Sequence, residues 1–127
     1  MPPLPPLPKS ELEIARIVWD RGEVTVREVL EALPADRDLD FFTVQTYLRR
    51  LTDKGYLKVH KAGRNNVYSP KVRKNRVISQ MVEDFVHGVF DGDAVPLVQH
   101  LLQEKPLTES ELDQLQATLD QLKEAKE

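Results

Sequence analysis

Thr43, Gln45, Thr46, Arg49 and Arg50 fall within eight consecutive positions, and their side chains are the types that read base-pair edges. A glutamine offers donor and acceptor side by side, which fits adenine. An arginine fork fits guanine, and a threonine methyl can meet the methyl of thymine. A second group follows in Lys61, Arg64 and Asn65, which suit phosphate oxygens. The surrounding charge supports this pairing of roles. Residues 43–76 hold ten of the eighteen basic residues against the single acid Asp53, a local charge of +9 in a chain of net −3. An isoelectric point near 5.7 would argue against a polyanionic partner only if charge were evenly spread.

Elements must exist to hold these groups in place. Val44, Tyr47, Leu48 and Leu51 recur at helical spacing and predict a helix from about 42 to 54, closed by Gly55. Thr43, Gln45, Thr46, Arg49 and Arg50 then project from its other sides. Upstream, Ser10–Glu13 and Thr25–Glu28 each match the S/T-x-x-E capping box, so two further helices are expected to start there. Downstream, "YLKVHK", "AGRNN" and "VYS" predict a strand, a turn and a short return strand. Three helices and a basic hairpin in this order predict a winged helix-turn-helix. Lys58, Lys61 and Arg64, with Asn65 and Asn66, would lie along phosphates or dip into a minor groove. Lys71, Arg73, Lys74 and Arg76 either extend that track or begin a fourth helix, where cations in the first turn oppose the dipole.

Beyond residue 76 the charge reverses to −8. Ile78, Met81, Val82, Phe85 and Val89 form the stripe of a long fourth helix, and Val95, Leu97, Val98, Leu101 and Leu102 suggest a fifth. Leu112, Leu115, Leu119 and Leu122 follow a heptad seam, and Thr108–Glu111 repeats the capping box. Such faces need burial. Either a second copy covers them or they fold back on their own winged helix. The expected fold is mainly α with a small β-hairpin: a proline-rich arm (1–9), a winged-helix DNA-binding domain (10–73) and a helical dimerisation segment (74–127). The arm, "PPLPPLP" at 2–8, favours polyproline II. It is either an exposed lead-in or a P-x-x-P ligand for an aromatic groove.

Other functions lack their residues. Cysteine is absent, which removes disulfides, thiol catalysis and thiolate metal sites. His60, His87 and His100 form no metal-binding spacing, and there is no phosphate loop or nucleophile elbow. The expectation is a non-enzyme without metal or cofactor. Neither a signal peptide nor a membrane span is legible, so the expected compartment is the cytoplasm. The competing class is a winged-helix adaptor that meets protein instead of DNA.

"ELEIARIVWDRGEVTVREVLEAL", "FTVQTYLRRLTDKGYLKVHKAGRNNVYSP" and "FDGDAVPLVQHLLQEKPLTESELDQL" together resemble the penicillinase-repressor family of bacterial transcription regulators, the BlaI/MecI/CopY type, over roughly residues 10–123. The resemblance implies a homodimeric repressor on palindromic double-stranded operators. It implies dimerisation through the C-terminal helices, with Phe85, Leu97, Leu101, Leu112, Leu115, Leu119 and Leu122 in the contact. It also implies a membrane-bound sensor metalloprotease as partner, whose cut in the C-terminal region lifts repression. The family's cleaved Asn-Phe bond falls on His100–Leu101, where this sequence departs from that pattern. The copper-responsive branch ends in a cysteine cluster, which this chain lacks, so copper sensing by that route is excluded.

Overall fold

The computed structural model describes residues 4–126. Met1, Pro2 and Pro3 of the arm lie outside the described residues. The chain divides after Val82 into two compact units, each with its own logic.

The first unit holds α1 (Lys9–Arg21), α2 (Val26–Ala32), α3 (Phe41–Asp53), β1 (Leu57–Ala62), β2 (Asn65–Pro70) and the start of α4 (Lys74–Phe90). Its core is a closed set of aliphatic side chains: Ile14 and Val18 of α1, Val29 of α2, Val44, Leu48 and Leu51 of α3, and Leu57 of β1. Val77, in the first turns of α4, joins them. The strands pair antiparallel, from Leu57 opposite Pro70 to Ala62 opposite Asn65. That register leaves a two-residue loop, Gly63–Arg64. Gly63 has φ 65°, the positive value that a two-residue hairpin of the primed kind requires at its first loop position. The sequence did not announce a third strand segment. Val24 and Tyr68 exchange both backbone hydrogen bonds, at 2.9 and 2.8 Å, and fasten the hairpin to the α1–α2 connection.

Helix ends explain most of the boundaries. At α2 the expected capping box forms, with the Glu28 N–H donating to the Thr25 hydroxyl and the Thr25 N–H to the Glu28 carboxylate. At α3 the end is a Schellman motif around Gly55 (φ 92°). The Tyr56 N–H reaches the Leu51 carbonyl at 3.0 Å, and the Gly55 N–H reaches Thr52 at 3.1 Å.

The box expected at Ser10 does not form. Pro8 occupies the N-cap without a side-chain hydrogen bond, and Ser10 lies inside the helix. Tertiary partners outweigh a cap worth about 1 kcal/mol. Glu13 accepts from Arg37 Nε at 2.9 Å, and the buried Glu11 takes Lys54 at 2.8 Å. Nor is the arm merely an exposed lead-in over its described residues. Leu4 and Leu7 pack on the core, Lys54 Nζ donates to the Pro6 carbonyl, and the Tyr56 hydroxyl donates to the Pro5 carbonyl.

The second unit holds the rest of α4, then α5 (Ala94–Glu104) and α6 (Glu109–Ala125). Asp91 and Gly92 adopt left-handed φ values to turn the chain, and Asp93 caps α5. Thr108 and Glu111 complete the capping box expected for α6. None of the described residues in this unit is buried. Phe85, Leu101, Leu112, Leu115, Leu119 and Leu122 are all exposed, while Leu97 is half-buried. The leucine stripe of α6 is therefore uncovered among the described residues. No described helix is long and apolar enough to cross a membrane.

Candidate nucleic-acid interface

Burial of Val44, Leu48 and Leu51 fixes the rotation of α3, and with it the side that faces out. The N-terminus of the helix is set by Asp40, whose carboxylate accepts the Thr43 N–H at 2.7 Å. That bond, with one to the Thr43 side chain next in weight, holds the Asp40 carboxyl below its ordinary range. Asp40 was not legible as a cap, because "ADRDLD" reads only as a polar connector.

Gln45 and Arg49 stand one turn apart on the outward side. Gln45 borders two adjoining hollows. In the first it meets Phe41, Arg27 at the start of α2, and Arg64, Asn65 and Asn66 at the hairpin end. In the second it joins Arg49, Asp53, Val59 and Asn66. Helix and wing thus present polar groups to one surface. Thr46 spends its hydroxyl proton on the Phe42 carbonyl at 2.9 Å, so it offers outward a methyl and an acceptor lone pair. Thr43 is half-buried in the first turn. Arg50 lies to the side, its guanidinium carbon 5.8 Å from the Tyr47 ring centroid. Stacking there pre-orients the fork for a phosphate more than for a base. Lys61 and Arg64 are exposed. Among the described residues, none of Arg49, Arg50, Lys61 and Arg64 makes an ion pair.

One member of the basic cluster is already occupied. Lys54 neutralises Glu11 and holds the arm, so it belongs to the fold. The structure adds neighbours that the sequence did not single out, Arg27, Phe41 and Phe42. Arg27 sits in a helix read only for its apolar residues, and its approach to Gln45 is a tertiary fact. Among the described residues no group of three or more His, Asp or Glu side chains could hold a metal.

The model of the penicillinase repressor family matches residues 7–121. The chain belongs to the penicillinase repressor family. The penicillinase repressor of Bacillus licheniformis is 29% identical over 99% of this chain and 98% of its own length. An uncharacterised 16.5 kDa protein of Latilactobacillus sakei is 31% identical over 87% of this chain and 75% of its own. The solution structure of the DNA-binding domain of the repressor BlaI superposes with a TM-score of 0.51 at 34% identity, covering 58% of this chain and 90% of that one. The winged helix expected from the sequence is therefore the fold of this family member.

Proposed function

We propose that this family member is a DNA-binding transcriptional repressor, cytoplasmic and homodimeric, acting on palindromic double-stranded sites. In each protomer α3 enters a major groove. Gln45 and Arg49 bond base edges, Thr43 and Thr46 contribute short contacts, and Arg50, Lys61, Arg64 and Asn65 engage the backbone. The observation that carries this reading is the shared surface of α3 and the hairpin. Base-reading groups and unpaired cations line the same two hollows. An adaptor for protein would have no use for both.

The uncovered leucines of the second unit support the dimer. Leu112, Leu115, Leu119 and Leu122 on one helix, with Phe85, Leu97 and Leu101, offer a second copy the apolar face that each chain leaves in water. Two-fold symmetry then matches a palindrome. We also keep the sensor-protease step within the proposal, with His100–Leu101 as the cut bond. That bond lies inside α5, so cleavage requires the helix to open locally.

The deciding experiment selects binding sites with the full chain from random duplex DNA, then titrates the winner against scrambled DNA across salt. A palindromic motif bound as a dimer, with affinity falling steeply as salt rises, supports the proposal. Equal, salt-insensitive binding to every duplex would overturn it.

A further inference from the structure

Phe42 is 74% exposed, the most exposed of the large hydrophobic residues described. The fold does not require a phenyl ring there, since the buried stripe of α3 is complete without it. Its nearest aromatic neighbour is Phe41, edge-on with centroids 6.0 Å apart and planes at 84°. Phe41 in turn lines the hollow that holds Gln45 and Arg64. Helical spacing puts Phe42, Gln45, Thr46 and Arg49 at i, i+3, i+4 and i+7, on one outward strip. The Thr46 hydroxyl closes onto the Phe42 carbonyl and holds that turn.

An apolar ring at the head of a polar, cationic strip is an odd neighbour for water and a poor one for an apolar protein face. A DNA major groove resolves the mismatch. The first residues of a recognition helix are the ones that meet base edges. The single apolar feature those edges display is the C5 methyl of thymine. We propose that Phe42, steadied by Phe41, is a specificity-determining residue that packs on a thymine methyl in the bound site. The proposal rests on the DNA-reading function above and adds a base preference that neither Gln45 nor Arg49 supplies. Burying one methyl-sized group corresponds to about a fourfold gain in affinity.

The methyl can be removed without touching hydrogen bonding. Full-length wild type, Phe42→Ala and Phe42→Leu are each used to select sites from a random duplex library made with thymidine, and again from one made with deoxyuridine. Wild type should enrich thymine at a position beside those that depend on Gln45 and Arg49. That preference should fall about fourfold in the uracil library while the other positions persist. Phe42→Ala should lack the preference in both libraries, and Phe42→Leu should keep part of it. A wild-type motif indifferent to the methyl at every position would overturn the inference and leave the DNA-reading function standing, whatever the variants do. Full methyl sensitivity in a folded Phe42→Ala would overturn it too. No enriched motif in either library would remove the DNA-reading function and this inference together.

Discussion

Arg64→Ala should flatten the salt dependence of DNA binding, whereas Lys54→Ala should not, although both remove one positive charge from the same cluster. Arg50, Lys61 and Arg64 form no ion pair among the described residues, so each is free to displace a counterion. At about −0.9 per phosphate, three contacts give a slope of log affinity against log salt near −2.7 per protomer, or about −5.4 for two. Raising salt from about 50 to 200 mM would then cost about 10³-fold in affinity. Arg64→Ala should bring the dimer's slope to about −3.6, one contact fewer per protomer. Lys54 behaves otherwise because its ammonium sits 2.8 Å from Glu11, which is only 3% exposed. Losing it strands a buried carboxylate and costs about 1–3 kcal/mol of stability, with the slope unchanged. Fluorescence anisotropy of a labelled random duplex over a salt series gives the slopes, and thermal melting gives the stabilities. No operator sequence is needed. If Arg64→Ala leaves the slope as it was, the hairpin does not reach phosphate. If Lys54→Ala flattens it equally, the slope measures diffuse charge and the assignment of contacts is wrong.

Gln45→Ala or Arg49→Ala should cost about 1–3 kcal/mol on the selected site and relax preference at one or two positions; equal loss on scrambled DNA would demote them to backbone contacts. Leu115→Asp should shift sedimentation from dimer to monomer, since a carboxylate in an apolar seam is costly to desolvate, and a variant that sediments like wild type would exclude α6 from the contact. Hydrogen bonds from Thr25 hold the Glu28 carboxyl below its ordinary 4.5, and those from Thr108 do the same for Glu111. A lowered folded pKa means that the stabilisation is present above the ordinary value and is lost as pH falls through the folded one. Helical circular dichroism should therefore decline on acidification below about pH 4, and Glu111→Gln should remove part of that decline. A chain ending at His100 should keep its winged helix and lose about 10²–10⁴ in apparent operator affinity; full affinity in the titration would separate the C-terminal helices from repression.

Short-range chemistry was the legible part of this molecule. Thr25–Glu28 and Thr108–Glu111 are reciprocal bonds closed within one helical turn, and Gly55 terminates α3 through backbone geometry that few other residues tolerate. Each is decided by neighbours three or four residues away. Ser10–Glu13 carries the same letters and fails because its outcome is decided elsewhere. Arg37, 24 residues from Glu13, takes the carboxylate, and Lys54, 43 residues from Glu11, helps to anchor the chain entering α1. The Val24–Tyr68 bridge and the Leu4 and Leu7 contacts are likewise long-range. In the candidate interface, Gln45 and Arg49 were recognisable from residue type and helical phase. Phe42 shares that phase, but an apolar residue at a helix start ordinarily reads as core. Only its exposure sets it apart.

The two units have complementary deficits. The first has a closed core but a single recognition helix, which spans too few base pairs to discriminate a site well. The second has long amphipathic helices and no buried residue. Pairing through the second unit would mend both. Each leucine seam gains a cover, and each α3 gains a tethered companion that binds its half-site at high effective concentration. Control then need not touch the DNA-reading surface. The proposed cut bond, His100–Leu101, lies inside α5 between Asp93 and Lys105, so a protease would reach it only where the helix opens locally. Such a cut would release α6 with Leu112, Leu115, Leu119 and Leu122, removing the proposed seam while Gln45, Arg49 and the hairpin stay as they were. Affinity would then fall because a bivalent contact becomes two monovalent ones.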